Sequence, residues 1–237
     1  MGALCDSRGR SRTGPVDDVV AGVQRGLLWC PAAPDLRPVG SCAMSAPHRT
    51  SGTAPQEQAR WRRRTLGALS GTVLDVGAGS GTSGRFLAPG AEWLALEPAP
   101  SARLVRAVEA RPRSRLLQSV AEELPLTDGD VDAAVCSTAL CSVADPDGAL
   151  AEILRVLRPG GRLVFFEHVA APAGSGARLF QGLAAPFTRR FDRGCDPRRD
   201  TASAIRRAGF SRVDLRALRT AGVFGGLAPV IEGEAIR

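Results

Sequence analysis

Val73-Leu74-Asp75-Val76 runs directly into Gly77-Ala78-Gly79-Ser80-Gly81, and a second apolar run, Trp93-Leu94-Ala95-Leu96, ends in the acid Glu97. A short strand that opens into a glycine-rich turn lets the backbone approach a ligand. An acid at the end of the next strand can accept hydrogen bonds from ribose hydroxyls. The pair therefore reads as a nucleotide-type cofactor pocket, with Glu97 as the ribose acceptor because a bidentate carboxylate matches two neighbouring hydroxyls. Asp75 is expected to fix the turn or to meet the cofactor's amino group. A second group, Ser137, Leu140, Cys141 and His168, falls at or just beyond the ends of later strand-like runs. His168 is a candidate general base, since imidazole titrates near neutral pH; the alternative is a hydrogen-bonded structural histidine. Cys141 and Cys195 could line the pocket, with small buried hydrophobes as their default role. Glu167 alternates to the opposite face of its strand and is expected to be structural.

The elements that must position these residues are legible as an alternation of strand and helix. Strand-like runs fall at 72–76, 92–97, 115–119, 131–136 and 162–168, and two last strands are expected at 211–217 and about 229–236. Helical segments are expected at 56–69, 82–88, 100–110, 147–157 and 200–208. Asp145-Pro146-Asp147 is a helix start, and Arg158-Pro159-Gly160-Gly161 is a stop, because proline cannot continue a helix and glycine permits the reversal. This pattern predicts an α/β fold, Rossmann-like and doubly wound, with a mostly parallel seven-stranded sheet and an antiparallel last strand. The domain is expected over 56–237, with a cap-like insertion at 171–194. In that insertion Leu179, Phe180, Leu183 and Phe187 recur at helical spacing. The helix either packs on the body or caps an apolar substrate with Phe180 and Phe187; both readings stay open.

Composition narrows the functional classes. Residues 1–55 are rich in Gly, Pro, Ser, Ala and Arg and read as a disordered extension or an artefact of start-site assignment, with Met44 as a candidate true start. No run of about 18 apolar residues suggests a membrane span, and no signal peptide is evident, so a cytoplasmic location is expected. The formal charge is +7, yet all 31 basic residues are arginine, and Lys, Asn and Tyr are absent. That is coding bias rather than a nucleic-acid footprint, and no nucleic-acid partner is expected. Arg62-Arg63-Arg64 is read as a solvated helix face. No Cys-x-x-Cys pair occurs among the six cysteines, Cys5, Cys30, Cys42, Cys136, Cys141 and Cys195, and there are two histidines. Reduced thiols and no metal are expected.

The dinucleotide fingerprint Gly-x-Gly-x-x-Gly fails at Thr82 when counted from Gly77, and the frame Gly79, Gly81, Gly84 starts too late for the tight turn. Asp75-x-Gly77-x-Gly79-x-Gly81 instead resembles the first motif of class I methyltransferases that use S-adenosylmethionine. Ser119–Leu126, Asp128–Asp132 and Ala151–Gly161 resemble, in order, the adenine-side loop, fourth strand and pre-fifth-strand helix of the methyltransferase type 11 domain. The resemblance implies S-adenosylmethionine as cofactor, held by Asp75, Gly77, Ala78, Gly79, Gly81, Glu97, Pro98, Val120, Ala121, Glu122 and Ser137. It implies a small acceptor near Leu140, Cys141, His168, Phe180 and Phe187.

Val135–Val143, Phe166–Ala171 and Phe191–Cys195 are similar to the thiol S-methyltransferase (methyltransferase-like seven) group, which implies an apolar thiol acceptor. Animal members of that group carry an N-terminal membrane anchor. No comparable segment is evident here, and peripheral membrane contact stays open. Val120 departs from the aspartate that many type 11 members use for the adenine amino group. Alternative acceptors are a quinone, a lipid amine or a natural-product hydroxyl; a non-catalytic cofactor-binding module is a more distant reading. Methyl transfer from a sulfonium needs alignment and water exclusion more than it needs a base.

Overall fold

The computed structural model describes residues 48–191, 194–221 and 227–237. Met44, Cys5, Cys30, Cys42, Asp192 and Arg193, named above, lie outside them. Eight strands form one sheet: β1 (His48–Thr53), β2 (Thr72–Val76), β3 (Glu92–Leu96), β4 (Ser114–Leu117), β5 (Val131–Ser137), β6 (Leu157–His168), β7 (Arg212–Ala221) and β8 (Leu227–Ile236). Their spatial order is β1-β7-β8-β6-β5-β2-β3-β4. Every neighbouring pair is parallel except β8, which runs antiparallel to both β6 and β7.

The central strands are apolar on both faces, as a covered parallel sheet requires. Leu74, Val76, Leu94 and Leu96 point to one face, against Leu150 and Ile153 of α3 (Pro146–Val156) and Ile205 of α5 (Thr201–Arg207). Val73, Trp93 and Ala95 point to the other, with Trp61 of α1 (Ala54–Thr65) and Leu104 of α2 (Ala102–Glu109). Local sequence sets the helix ends. The Gln56 side chain accepts from the Thr53 amide at 2.9 Å, Ser101 accepts from the Leu104 amide, and Asp145 caps α3 ahead of Pro146. Trp61 packs on Phe166 with ring centroids 5.9 Å apart, which docks α1 across the end of β6.

Several expectations change. The sheet has eight strands rather than seven, because His48–Thr53, inside the presumed 1–55 extension, pairs in parallel with β7 at the edge. No α-helix forms over 82–88. Gly79-Ser80-Gly81-Thr82-Ser83-Gly84 has low helix propensity and Pro89 follows closely, so only the 3-10 turn Gly84–Phe86 appears. The turn around Gly77–Gly81 is therefore not the N-terminus of a helix. In the insertion, α4 spans Gly176–Phe191. No helix among the described residues is long and apolar enough to cross a membrane.

Candidate functional site

The carboxyl edge of the sheet sorts the candidate residues by strand. From one side to the other stand β4, β3, β2, β5 and β6. Val120–Glu122 follow β4, Glu97 ends the run of β3, Gly77–Gly81 follow β2, Ser137 closes β5 and His168 closes β6. The chain leaves β2 toward β3 and β4 and then returns to β5 on the other side. The switch point where open α/β sheets bind ligands therefore falls between β2 and β5. Four strand spacings separate β4 from β6, roughly 19 Å. Along this edge lies a cleft of about 440 Å³.

The turn after β2 needs its glycines for two different reasons. Gly77 has φ +65°, and an added Cβ would lie 3.0 Å from the Ala139 Cβ, so the backbone passes close under the loop after β5. Gly81, at φ +77°, would meet Ala107 and Leu104 of α2 instead; its smallness serves packing behind the cleft wall. The Gly79 amide donates to Glu97 Oε2 at 2.9 Å, which ties the turn to the end of β3. Asp75 is buried beneath the turn, where the Trp93 indole N–H donates to its Oδ2 at 3.2 Å. Burial pushes its carboxyl up to about 7, against the opposing pull of Trp93, the Arg62 charge and the Ser83 hydroxyl.

Helix α1 supplies a wall that the sequence reading missed. Gln58 donates to Ser137 Oγ at 3.0 Å and to Thr138 Oγ1 at 3.2 Å, and Arg62 donates to the same Ser137 Oγ at 3.0 Å. Arg62 is thus not part of a solvated face, whereas Arg63 is exposed and Arg64 pairs with Glu232. The i, i+4 spacing of Gln58 and Arg62, one residue past that of buried Glu57 and Trp61, was the available signal. Burial draws the Arg62 guanidinium below its ordinary range while Asp75 opposes the shift, and its buried Nε has no hydrogen-bond partner. Thr138 sits at φ +60°, a strained conformation for a β-branched residue, with its amide donating to Phe166 at 2.7 Å.

At the β6 end, Glu167 is fully buried. Its Oε1 accepts from the amides of Ala139 at 2.9 Å and Leu140 at 3.2 Å, as its expected structural role requires, and its Oε2 is buried without a partner. Burial pushes this carboxyl up to about 7 despite those amides. His168 faces the cleft beside two thiols: Nδ1 lies 4.0 Å from Cys141 Sγ and 3.8 Å from Cys195 Sγ, and the two sulfurs are 3.4 Å apart. The Cys195 contact and burial raise the Cys141 thiol above its ordinary range. The expectation of no metal rested on spacing along the chain. The fold instead gathers these groups from three separate strand-end loops.

Of the expected site residues, Gly77, Ala78, Gly79, Glu97, Pro98, Val120, Ala121, Glu122, Ser137, Cys141 and His168 line the cleft, and so does Cys195. Asp75, Gly81 and Leu140 lie behind its wall. Phe180 and Phe187 do not reach it. They project from α4 into solvent, Phe187 at 67% exposure, because Gln181 and Ala185 turn the opposite face of the helix to the body. Gln181 accepts from the Ala171 amide at 2.8 Å and donates to the Val169 carbonyl at 3.0 Å.

Comparison with known proteins agrees with this geometry. The Methyltransf_11 family, described as a methyltransferase domain, matches residues 74–165. Thiol S-methyltransferase TMT1B of Homo sapiens is 34% identical over 180 residues, covering 73% of this chain and 74% of that protein. The alignment to TMT1B of Rattus norvegicus, at 36% identity, takes in 61% of this chain and 62% of the relative, less than two thirds of its length. Demethylmenaquinone methyltransferase of Thermus thermophilus is 36% identical over 49% of this chain and 57% of its own. Among solved structures, 1,6-didemethyltoxoflavin-N1-methyltransferase of Burkholderia thailandensis, determined with S-adenosylhomocysteine, has the same fold. Its TM-score is 0.54, at 22% identity over 76% of this chain and 78% of the other.

Proposed function

We propose a small apolar thiol as the methyl acceptor, on the premise of family: the chain belongs to the S-adenosylmethionine-dependent methyltransferases that carry the Methyltransf_11 domain. The cleft fits that cofactor. A carboxylate stands at the end of β3, an added Cβ at Gly77 would fill the space beneath the turn, and the buried Arg62 Nε on the wall lacks a partner. Glu97 would hold the ribose hydroxyls, Val120–Glu122 would flank the adenine, and the Gly77–Gly79 backbone would underlie the methionine portion. When bound, S-adenosylmethionine supplies a methyl group on an electrophilic sulfonium.

The chain's own residues do the rest. Ser137, cross-braced by Gln58 and Arg62, fixes α1 over the cleft and so limits the access of water. The loop after β5 is stapled by Glu167, which holds Cys141 and its neighbours Ser142, Val143 and Ala144 along the acceptor end. His168 stands there as the one imidazole of the cleft and can take a thiol proton.

The observation that carries the thiol reading is the identity to TMT1B over 180 residues, which runs through the acceptor end as well as the cofactor end. A quinone acceptor is the second reading, supported by the similarity to demethylmenaquinone methyltransferase. A labelled-methyl assay with panels of thiols, quinols, phenols and amines separates them. Labelled thioether is expected. Turnover on quinols with silence across the thiols would overturn the thiol reading.

A further inference from the structure

Cys141, His168 and Cys195 meet at the acceptor end of the cleft, and all three line it. Tetrahedral zinc, with bonds of about 2.3 Å to sulfur and about 2.0 Å to nitrogen, separates two sulfurs by about 3.8 Å and sulfur from nitrogen by about 3.5 Å. The three observed separations are 3.4 Å, 3.8 Å and 4.0 Å. The side chains therefore need to shift by only about half an ångström or less to ligate one ion. Two thiolates and a neutral imidazole would leave the dication with no net charge, which suits a buried position.

The backbone is already pinned around this arrangement. The Asp196 amide donates to the Cys141 carbonyl at 2.9 Å, which holds the Cys195 loop against the loop after β5. Arg199 Nη1 donates to the Leu140 carbonyl at 3.1 Å, and Glu167 holds the Ala139 and Leu140 amides from the other side. Asp196 is itself clamped by Arg189 and Arg198. Three protein ligands with an open fourth position is the arrangement of a catalytic rather than a structural zinc site.

We propose that Cys141, His168 and Cys195 bind one zinc ion whose open position faces the cleft and takes the acceptor sulfur. The second half of this proposal rests on the thiol reading above. The acceptor thiol displaces a zinc-bound water and releases its proton to solvent, which leaves a metal-bound thiolate. The sulfur lone pair then forms the new S–C bond as the S–CH₃ bond of the donor sulfonium breaks, and the neutral thioether leaves the metal.

The test uses the full chain, equilibrated under reducing conditions with a small excess of zinc, desalted and measured for bound metal by mass spectrometry. Cobalt(II) is loaded in parallel to read thiolate charge-transfer and tetrahedral d–d absorption. The expected result is one zinc per chain, both in the native sequence and in a Cys5→Ser, Cys30→Ser, Cys42→Ser variant. Bound zinc should fall by roughly tenfold or more in Cys195→Ser while calorimetric binding of S-adenosylhomocysteine persists. A chain that binds S-adenosylhomocysteine but retains no zinc overturns the site, as does zinc content undiminished by Cys195→Ser. If zinc is bound through these ligands and no thiol is methylated, the site stands and the acceptor reading falls; equal thiol turnover with and without zinc overturns the catalytic role.

Discussion

Asp75 is the residue whose environment differs most from what its place in the motif suggests. It lies under the turn rather than in the cleft, and its carboxyl titrates near 7 because burial outweighs Trp93, Arg62 and Ser83. Its folded pKa exceeds the ordinary 3.8, so the folded state holds the proton more tightly. The resulting stability is fully present below about pH 4 and is lost as pH rises through about 7. Asp75→Asn can still accept from the Trp93 indole but carries no charge. Its stability relative to the native chain should therefore rise between pH 5 and pH 8 in urea unfolding, and a pH-independent difference would contradict the account. The comparison must be by difference, because Asp200 and Glu152, held below their ordinary range by Ser203 and Arg155, act in the opposite sense at lower pH. Gly77→Ala combines left-handed strain with the 3.0 Å approach to Ala139, and should cost about 1–2 kcal/mol or more in the same assay. Gly160→Ala, at φ +77° with nothing within 4 Å, carries the strain alone and should cost less.

At the scale of elements, α4 is held by very few groups. Gln181 satisfies the Ala171 amide and the Val169 carbonyl, both in buried surroundings, while Leu179, Leu183 and Phe187 face solvent. Gln181→Leu should leave that donor and acceptor unpaired at about 1–3 kcal/mol each. The loss should appear as faster amide hydrogen exchange confined to 171–191, with β2, β3 and β5 unchanged. Leu183→Ser, on the exposed stripe, should change the melting free energy by no more than about 0.5 kcal/mol. Equal effects from the two substitutions would contradict this assignment of faces. The sequence showed that a helix forms here but not which side it buries, because an apolar stripe left in solvent looks the same in sequence as one turned inward. The central strands were legible because they are apolar on both faces. The strand β1 was not, since His-Arg-Thr-Ser-Gly-Thr has no apolar alternation and is recruited only by pairing with β7. The absent helix after Gly79 is a case of local propensity overriding the pattern expected of the fold.

For the molecule as a whole, the site was readable where one strand end supplies it and unreadable where distant segments converge. Glu97 and the glycine turn are contiguous signals. The α1 wall depends on Trp61 docking onto Phe166, and the Cys141–His168–Cys195 cluster joins loops far apart in the chain. Because the cleft crosses five neighbouring strands of one sheet, ligand binding should stabilise the domain as a unit. At a hundredfold excess over its dissociation constant, S-adenosylhomocysteine should add about 2.7 kcal/mol to unfolding.

Isothermal titration of S-adenosylhomocysteine into the native chain and into Glu97→Ala tests the account most directly. Loss of a charge-assisted hydrogen bond predicts a weakening of about 1.5–3 kcal/mol, roughly ten- to 150-fold in affinity, in a variant whose circular dichroism is unchanged. Equal affinity in the two proteins, or no heat with either, would contradict it.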